Sequence, residues 1–423
     1  GHKMAKIRTT PEEFQVDEFY SEDELIFTED TALPYRIFKL TKTGWETQAL
    51  SSNISKKHGI PVDAWGFSGL KDRRSKTTQL VSLPSRYAPK NRISGKDWTL
   101  DPHGAFDRHL KSGDHSGNRF SIVVRDIRHR ETQLLASRVE QISKIGLPNW
   151  FDSQRFGSAA IGKLPGELLM KGDLVGAMKL HLTEPQPSDR SSRRRDRKYL
   201  KSIWPDIDRV KIDSIDHQPF RRIIDGWKSS SKSTPQKKSL YESSLSAYLA
   251  MPRRLRGLWI SAWQSYIWND VLRNALLENF ENHLLRPVDI GVGGPLLYPE
   301  APPGRRGYAK RSLVESLAKR LKEIPESIRM PVPSMAKESK TDDLMVSRMH
   351  SNPPNPDTDF NLLKIKMADF SRETVLYPEE VLCTEPVIDD MHGSPKHKRW
   401  TCKISFTLPP GSYATNVIRR LFD

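Results

Sequence analysis

The sequence predicts a mixed α/β (α+β) protein of two domains, on three observations. Alternating apolar and polar residues recur in short stretches before residue 130 and again at Thr401–Leu408, as in half-buried strands. Leu258–Leu277 places Ile260, Trp263, Ile267, Trp268, Val271 and Leu272 on one broad stripe, as in a packed helix. The chain has 423 residues, 36% of them hydrophobic, which is enough for two cores.

In order, Gly1-His2-Lys3-Met4 reads as a cloning remnant. Phe14–Phe19 alternates as a strand, with Arg8 ahead of it, and Pro34–Leu40 reads as a second strand. Thr43-Gly44-Trp45-Glu46 has the form of a capping box, with Thr43 at the N-cap and Glu46 three residues on. The helix it opens carries Trp45, Ala49, Leu50 and Ile54 on one face and stops at Gly59. Residues 84–117 read as basic loop, leading to a strand at Gly117–Arg125. Glu131–Ile145 has helical apolar spacing and ends at Gly146. Pro165 opens a helix through Leu168, Leu169 and Leu174. Arg193-Arg194-Arg195 reads as a surface loop or a phosphate contact, and Ser229–Pro235 as a linker. Residues 291–307 and 330–359, rich in Pro and Gly, read as loops. Pro409-Pro410-Gly411 ends the Thr401–Leu408 strand, and a last helix carries Val417, Ile418 and Leu421.

Charge narrows the function. Lys and Arg number 68 against 52 Asp and Glu, a net charge of +16, which favours nucleic acid or another anionic surface as partner. No apolar run approaches the ~20 residues of a membrane span, and no signal-peptide pattern occurs, so a cytoplasmic protein is expected. Two cysteines, Cys383 and Cys402, make no disulfide framework. With His392 and His397 between them they invite a zinc reading, but the spacing fits no usual zinc module, so no metal is expected. No phosphate-cradling glycine loop, dinucleotide fingerprint or zinc-protease helix is present, and no cofactor is expected.

The stretch Gly66–Gln79 stands out. Asp72 sits among Lys71, Arg73, Arg74 and Lys76, between apolar Ala64–Phe67 and the strand-forming Thr77–Leu83. Strand, tight loop, strand is the expected structure, with Asp72 in the loop. Taken alone, a solvated charged turn is the ordinary explanation. The alternative is that the cations hold a polyanion's backbone close to the carboxylate.

Five stretches together resemble the TruD family of tRNA pseudouridine synthases. They are Phe14–Glu18; Gly69–Arg73 with Thr77-Thr78-Gln79; Gly117-Asn118-Arg119-Phe120; Gly146–Phe151 with Gln154–Gly157; and Leu408–Thr415, in the family order. Ile260-Ser261-Ala262 with Ser265 and Asn269 also looks like the family's helix. The resemblance implies a pseudouridine-synthase core with a bent mixed sheet and a central cleft, formed by 5–157 and 400–423. It implies an inserted α/β TRUD-type domain over 158–399. It further implies isomerisation of a uridine in tRNA, the one at position 13, with tRNA in a basic cleft and neither cofactor nor obligate protein partner. Asp72 matches the family's catalytic aspartate, acting on the ribose as nucleophile or as base. Arg8 aligns with its fixed cation, where an arginine in place of lysine offers a bidentate hold. Phe120 matches the aromatic that stacks on a flipped-out base, and its other reading is a core aromatic. Asn118 would bond the uracil edge or shape the loop. Phe14 would line the cleft or sit in the core. Lys71, Arg73, Arg74, Lys76 and Arg155 complete the expected substrate-binding set. A non-catalytic RNA-binding protein or tRNA chaperone on the same scaffold is the competing expectation, and a pseudouridine assay separates the two.

Overall fold

The structure is a computed structural model. It describes residues 5–423 apart from 22–27, 29–31, 188, 232–238, 305–306, 331–353 and 356. The chain forms two compact units. One is Gly1–Leu147, Pro299–Lys319 and Val375–Asp423, and the other is Pro148–Tyr298 and Arg320–Thr374.

In the first unit the described residues build a ten-stranded mixed sheet. Its strands are β1 (Phe14–Phe19), β2 (Tyr35–Thr43), β3 (Gly66–Phe67), β4 (Lys76–Pro84), β5 (Ile93–Gly95), β6 (Trp98–Phe106), β7 (Gly117–Ile127), β8 (Glu379–Cys383), β9 (Val387–Ile388) and β10 (Trp400–Leu408). The order is β8-β10-β7-β1-β4-β2-β6-β5, with β9 beside β10 and β3 beside β4. β1 and β4 run parallel, Gln15 opposite Lys76. β7 is antiparallel to both β1 and β10, so Phe120 lies between Val16 and Phe406.

Helix α1 (Thr47–His58) caps one face. Leu50 and Ile54 of α1 pack on Phe38, Leu40, Trp65, Val81, Leu83, Trp98 and Leu100. The helix starts later than the capping-box reading expects. β2 runs on through Thr43, paired with Lys76, and Gly44 turns the chain at φ +72°. The buried face is therefore Thr47, Leu50, Ser51, Ile54 and Ser55, and Ala49 is exposed. The stop at Gly59 is as expected, with φ +69°. The expected loop at 84–117 also contains a nine-residue strand, β6. Pro102 and Gly104 disguise it, at a bulge against Ile37 and Phe38 of β2. Helix α2 (His129–Ile145) and the C-terminal helix Ala414–Phe422 pack together, and Arg138 Nη1 donates to the Leu421 carbonyl at 2.8 Å.

The second unit is mainly helical among its described residues: α3 (Pro165–Met170), α4 (Leu174–Thr183), α5 (Ser191–Ile203), α6 (Gln218–Ser231), α7 (Leu240–Ala250) and α8 (Arg253–Asn279). A two-stranded ribbon pairs Ser327–Met330 with Phe370–Glu373. The predicted stripe of α8 is buried throughout. Its Asn269 spans one residue of backbone, accepting from Phe151 N at 3.0 Å and donating to Phe151 O at 2.8 Å. The helix expected from Pro165 through Leu174 breaks at Gly172, φ +83°, and Asp173 caps a new one by accepting from Gly176 N. Arg193-Arg194-Arg195 belongs to helix α5 instead of a loop, anchored by buried Arg197 on Asp189 at 2.6 Å. Residues expected as linker are helical up to Ser231, and 232–238 lie outside the described residues. Leu296–Pro299 within the expected loop 291–307 is a strand, and most of 330–359 also lies outside the described residues.

The unit limits fall near 147 and 375 where 157 and 400 were expected, and Pro299–Lys319 joins the first unit; the limit near 375 follows from β8 and β9 pairing with β10 in the first unit's sheet. Composition does not reveal such pairing. No helix among the described residues is long and apolar enough to cross a membrane.

Candidate active site

Residues 68–75 link β3 to β4, and the backbone is hydrogen-bonded at Ser68, Gly69, Lys71, Asp72 and Ser75. Ser68 O accepts from Gly113 N at 3.0 Å, and Gly69 O from Gln79 Nε2 at 2.9 Å. Thr47 Oγ1 accepts from Lys71 N at 3.0 Å and donates to Gln79 Oε1 at 2.8 Å. Thr47 N donates to Lys71 O at 3.2 Å, and Ser75 Oγ to Asp72 O at 2.9 Å. Lys42 Nζ donates to Trp45 O at 2.7 Å and lies 3.4 Å from both Lys71 O and Asp72 O.

The Asp72 side chain projects from this fastened loop and is 66% exposed. Arg8 Nη1 lies 3.6 Å from its Oδ2, and the Arg8 side chain is only 19% exposed. The parallel pairing of β1 with β4 brings the chain before β1 beside the loop before β4. Arg8 holds φ +62°, a left-handed conformation that costs a residue with a Cβ about 1–3 kcal/mol. Its guanidinium carbon sits 4.0 Å from the Phe14 ring centroid, so a cation–π contact and the ion pair offset that cost.

Below the loop lies a second charged layer. Lys71 pairs with the Oε1 of Glu18, whose side chain is fully buried. The Tyr20 hydroxyl lies 3.1 Å from Glu18 Oε2 and 2.7 Å from Ser68 Oγ. Burial and the Glu18 charge push the Tyr20 phenol up, so it stays protonated. Burial lowers the His115 pKa, and its Nε2 lies 3.4 Å from Asn118 Nδ2. Gly69 roofs this layer. A Cβ there would stand 2.8 Å from Glu18 Oε1 and 3.0 Å from Lys71 Nζ.

Phe14, Phe120 and Phe406 form a buried trio. Phe120 meets Phe14 edge to face at 6.3 Å and stacks on Phe406 at 5.4 Å. Asn118 is buried, and its Oδ1 has no hydrogen-bond partner among the described residues.

The structure thus brings Asp72, Arg8, Phe14, Phe120, Asn118 and Lys71 into one neighbourhood of the first unit. Arg73, Arg74 and Lys76 are exposed on or beside the loop, and Arg73 Nε donates to Gly44 O at 3.3 Å. Lys71, expected among the substrate-facing cations, instead faces Glu18 inside. Arg155 belongs to the second unit, where its Nε donates to Ser265 Oγ at 3.0 Å. His392 bonds Asp389 at 3.0 Å, and no group of three potential metal ligands occurs among the described residues. Sequence reading gave no site role to Lys42, Thr47 or Phe406, nor to Glu18 and Gln79, which it named only within the resembling stretches. Lys42 did carry a signal: it continues the buried face of Phe38 and Leu40 with a charge.

The family model described as tRNA pseudouridine synthase D (TruD) matches residues 3–290. The Methanococcus maripaludis protein named Probable tRNA pseudouridine synthase D 1 is 28% identical over 394 residues, covering 92% of this chain and 93% of its own. The tRNA pseudouridine synthase D of Leptospira interrogans is 28% identical over 439 residues, covering 100% and 97%. A Methanosarcina mazei crystal structure bearing the TruD name superposes with a TM-score of 0.62 at 22% identity, covering 99% of this chain and 93% of that one. It shows likeness of fold.

Proposed function

The chain belongs to the TruD family, and from that premise we propose that it isomerises a uridine of tRNA to pseudouridine with Asp72 as the catalytic carboxylate. The bond from ribose C1′ to uracil N1 breaks, the base turns, and C5 bonds to C1′. The C5 proton leaves and N1 gains one, so atoms balance with no redox step and no water consumed. One carboxylate suffices, as nucleophile at the ribose or as base upon it.

The observation that carries this reading is the Asp72–Arg8 pair on a loop whose backbone is hydrogen-bonded from beneath. The carboxylate side chain is open to solvent while the cation beside it lies against the Phe14 ring. An anchored loop spends little further order when substrate arrives. The target, the uridine at position 13, must leave its stack, and Phe120 and Asn118 receive it. Arg73, Arg74 and Lys76 contact phosphates. Lys71 acts from beneath, by holding Glu18. The first unit is the catalytic domain and the second the inserted one, where Arg155 is a tRNA contact. On this reading the protein works in the cytoplasm.

The test is Asp72→Asn in the full chain. Pseudouridine in tRNA should be undetectable, while tRNA affinity stays within threefold. Substantial turnover by that variant overturns the assignment of Asp72.

A further inference from the structure

Lys42 is a fully buried lysine near the end of strand β2, and its ammonium points under the loop that carries Asp72. An ammonium has three N–H donors. Three carbonyls face this one: Trp45 at 2.7 Å, and Lys71 and Asp72 at 3.4 Å each. Two of the three belong to the catalytic loop. The neighbouring strands present uncharged partners at this level, Thr77 on β4 and Trp98 on β6. The charges that face Lys42 are Lys71 and Asp72 from the loop, Glu46 ahead of α1 and Glu18 from β1.

We propose that Lys42 is a positioning residue for the reaction: its ammonium fixes the backbone at residues 71 and 72 and thereby the reach of the Asp72 carboxylate. The proposal rests on the reading of Asp72 as the catalytic group. Lys42 touches backbone and not substrate, so its effect belongs in the rate of the chemical step and not in tRNA affinity. Geometry also makes the hold sensitive to a proton. A neutral amine has two N–H donors for three carbonyls, and it lacks the charge that strengthens long hydrogen bonds.

Burial first, and the Lys71 charge second, lower the Lys42 pKa from 10.5 to about 8. The sign separates positioning from bulk stability. Between about pH 8 and 10.5 the unfolded chain keeps this proton and the folded chain has lost it, so this group makes the fold more stable as pH rises. The hold on the loop weakens over the same range. A purely structural lysine gives no alkaline loss of rate, whereas a positioning lysine does.

The experiment compares the full-length wild type with Lys42→Met. It measures single-turnover pseudouridine formation from pH 6.5 to 9.5, tRNA affinity, melting temperature and hydrogen exchange over residues 69–75. In Lys42→Met we expect amide exchange in the loop to rise at least tenfold and the rate to fall at least tenfold, with affinity within threefold. The wild-type rate should fall above about pH 8 with no drop in melting temperature, and the variant should lack that limb. Wild-type rate and loop protection in Lys42→Met overturn the proposal, as does a wild-type rate flat to pH 9.5. If Lys42→Met does not fold, Lys42→Gln replaces it, and the wild-type pH arm decides alone should that fail too. A wild type that makes no pseudouridine in tRNA defeats the functional reading instead. The exchange arm then decides whether Lys42 orders the loop, and unchanged protection overturns it.

Discussion

Phe120 is where two roles for an aromatic compete. Its ring is buried between Phe14 and Phe406, so truncation removes core packing as well as any stacking surface. Phe120→Ala should therefore cost about 3–5 kcal/mol of stability, which masks any part in catalysis. Phe120→Leu separates the two. It keeps an apolar side chain and leaves a smaller cavity than alanine does, so it costs less, but it has no π face for a base. We expect its melting temperature to fall by only a few degrees while single-turnover pseudouridine formation drops at least tenfold. An unchanged rate returns the ring to the core alone. Arg8 teaches a related point: its left-handed backbone is bearable because Phe14 and Asp72 each hold the side chain, so three expected site residues support one another.

The β7–β10 strand pair shows how an element is secured away from the site. Asp126, at the end of β7, holds φ +59°, and its amide donates to Asp389 Oδ2 at 2.9 Å. Asp389 also accepts from Met391 N and from Arg125 Nη1, each at 2.9 Å. Burial pushes its carboxyl up, but these bonds with the His392 contact outweigh burial and hold it below the usual carboxylate value. Such a group contributes stability above its unfolded pKa, and loses it as pH falls through the folded one. Asp389→Asn should lower stability by about 1–3 kcal/mol at pH 7. The gap to wild type should narrow as pH drops below about 4, read from urea melts across pH. The same segment is a polar turn that uses its groups for local bonding: the His392 ring bonds Asp389, and the His397 amide donates to Ser394 Oγ. β6 and the late start of α1 were hidden for another reason. Sheet pairing overrode what Pro102, Gly104 and the Thr43–Glu46 pattern favour locally.

For the whole molecule, charge is the property that reaches beyond any one contact. A chain of net charge +16 that grips tRNA releases counterions, so affinity falls steeply with salt. For a protein making ~6–10 phosphate contacts the loss is ~10³–10⁵ in affinity between about 50 and 200 mM salt. Arg74→Ala should reduce the slope of that dependence by about one, whereas Asp72→Asn should leave it unchanged. Binding titrations at four salt concentrations check both. An Arg74→Ala slope equal to wild type would take that side chain off the phosphates.

By itself the sequence determined the mixed class, the long buried helix α8, the strands at Phe14–Phe19, Gly117–Arg125 and Thr401–Leu408, and the loop that carries Asp72. It could do so because periodicity and turn chemistry act between neighbours in the chain. Only the tertiary structure decided that Lys71 turns inward to Glu18, that Lys42 fastens the loop from below, and that Phe406 meets Phe120. Those contacts join residues 29 to 286 positions apart, and a strand's partner is chosen by burial and register, which no local pattern encodes.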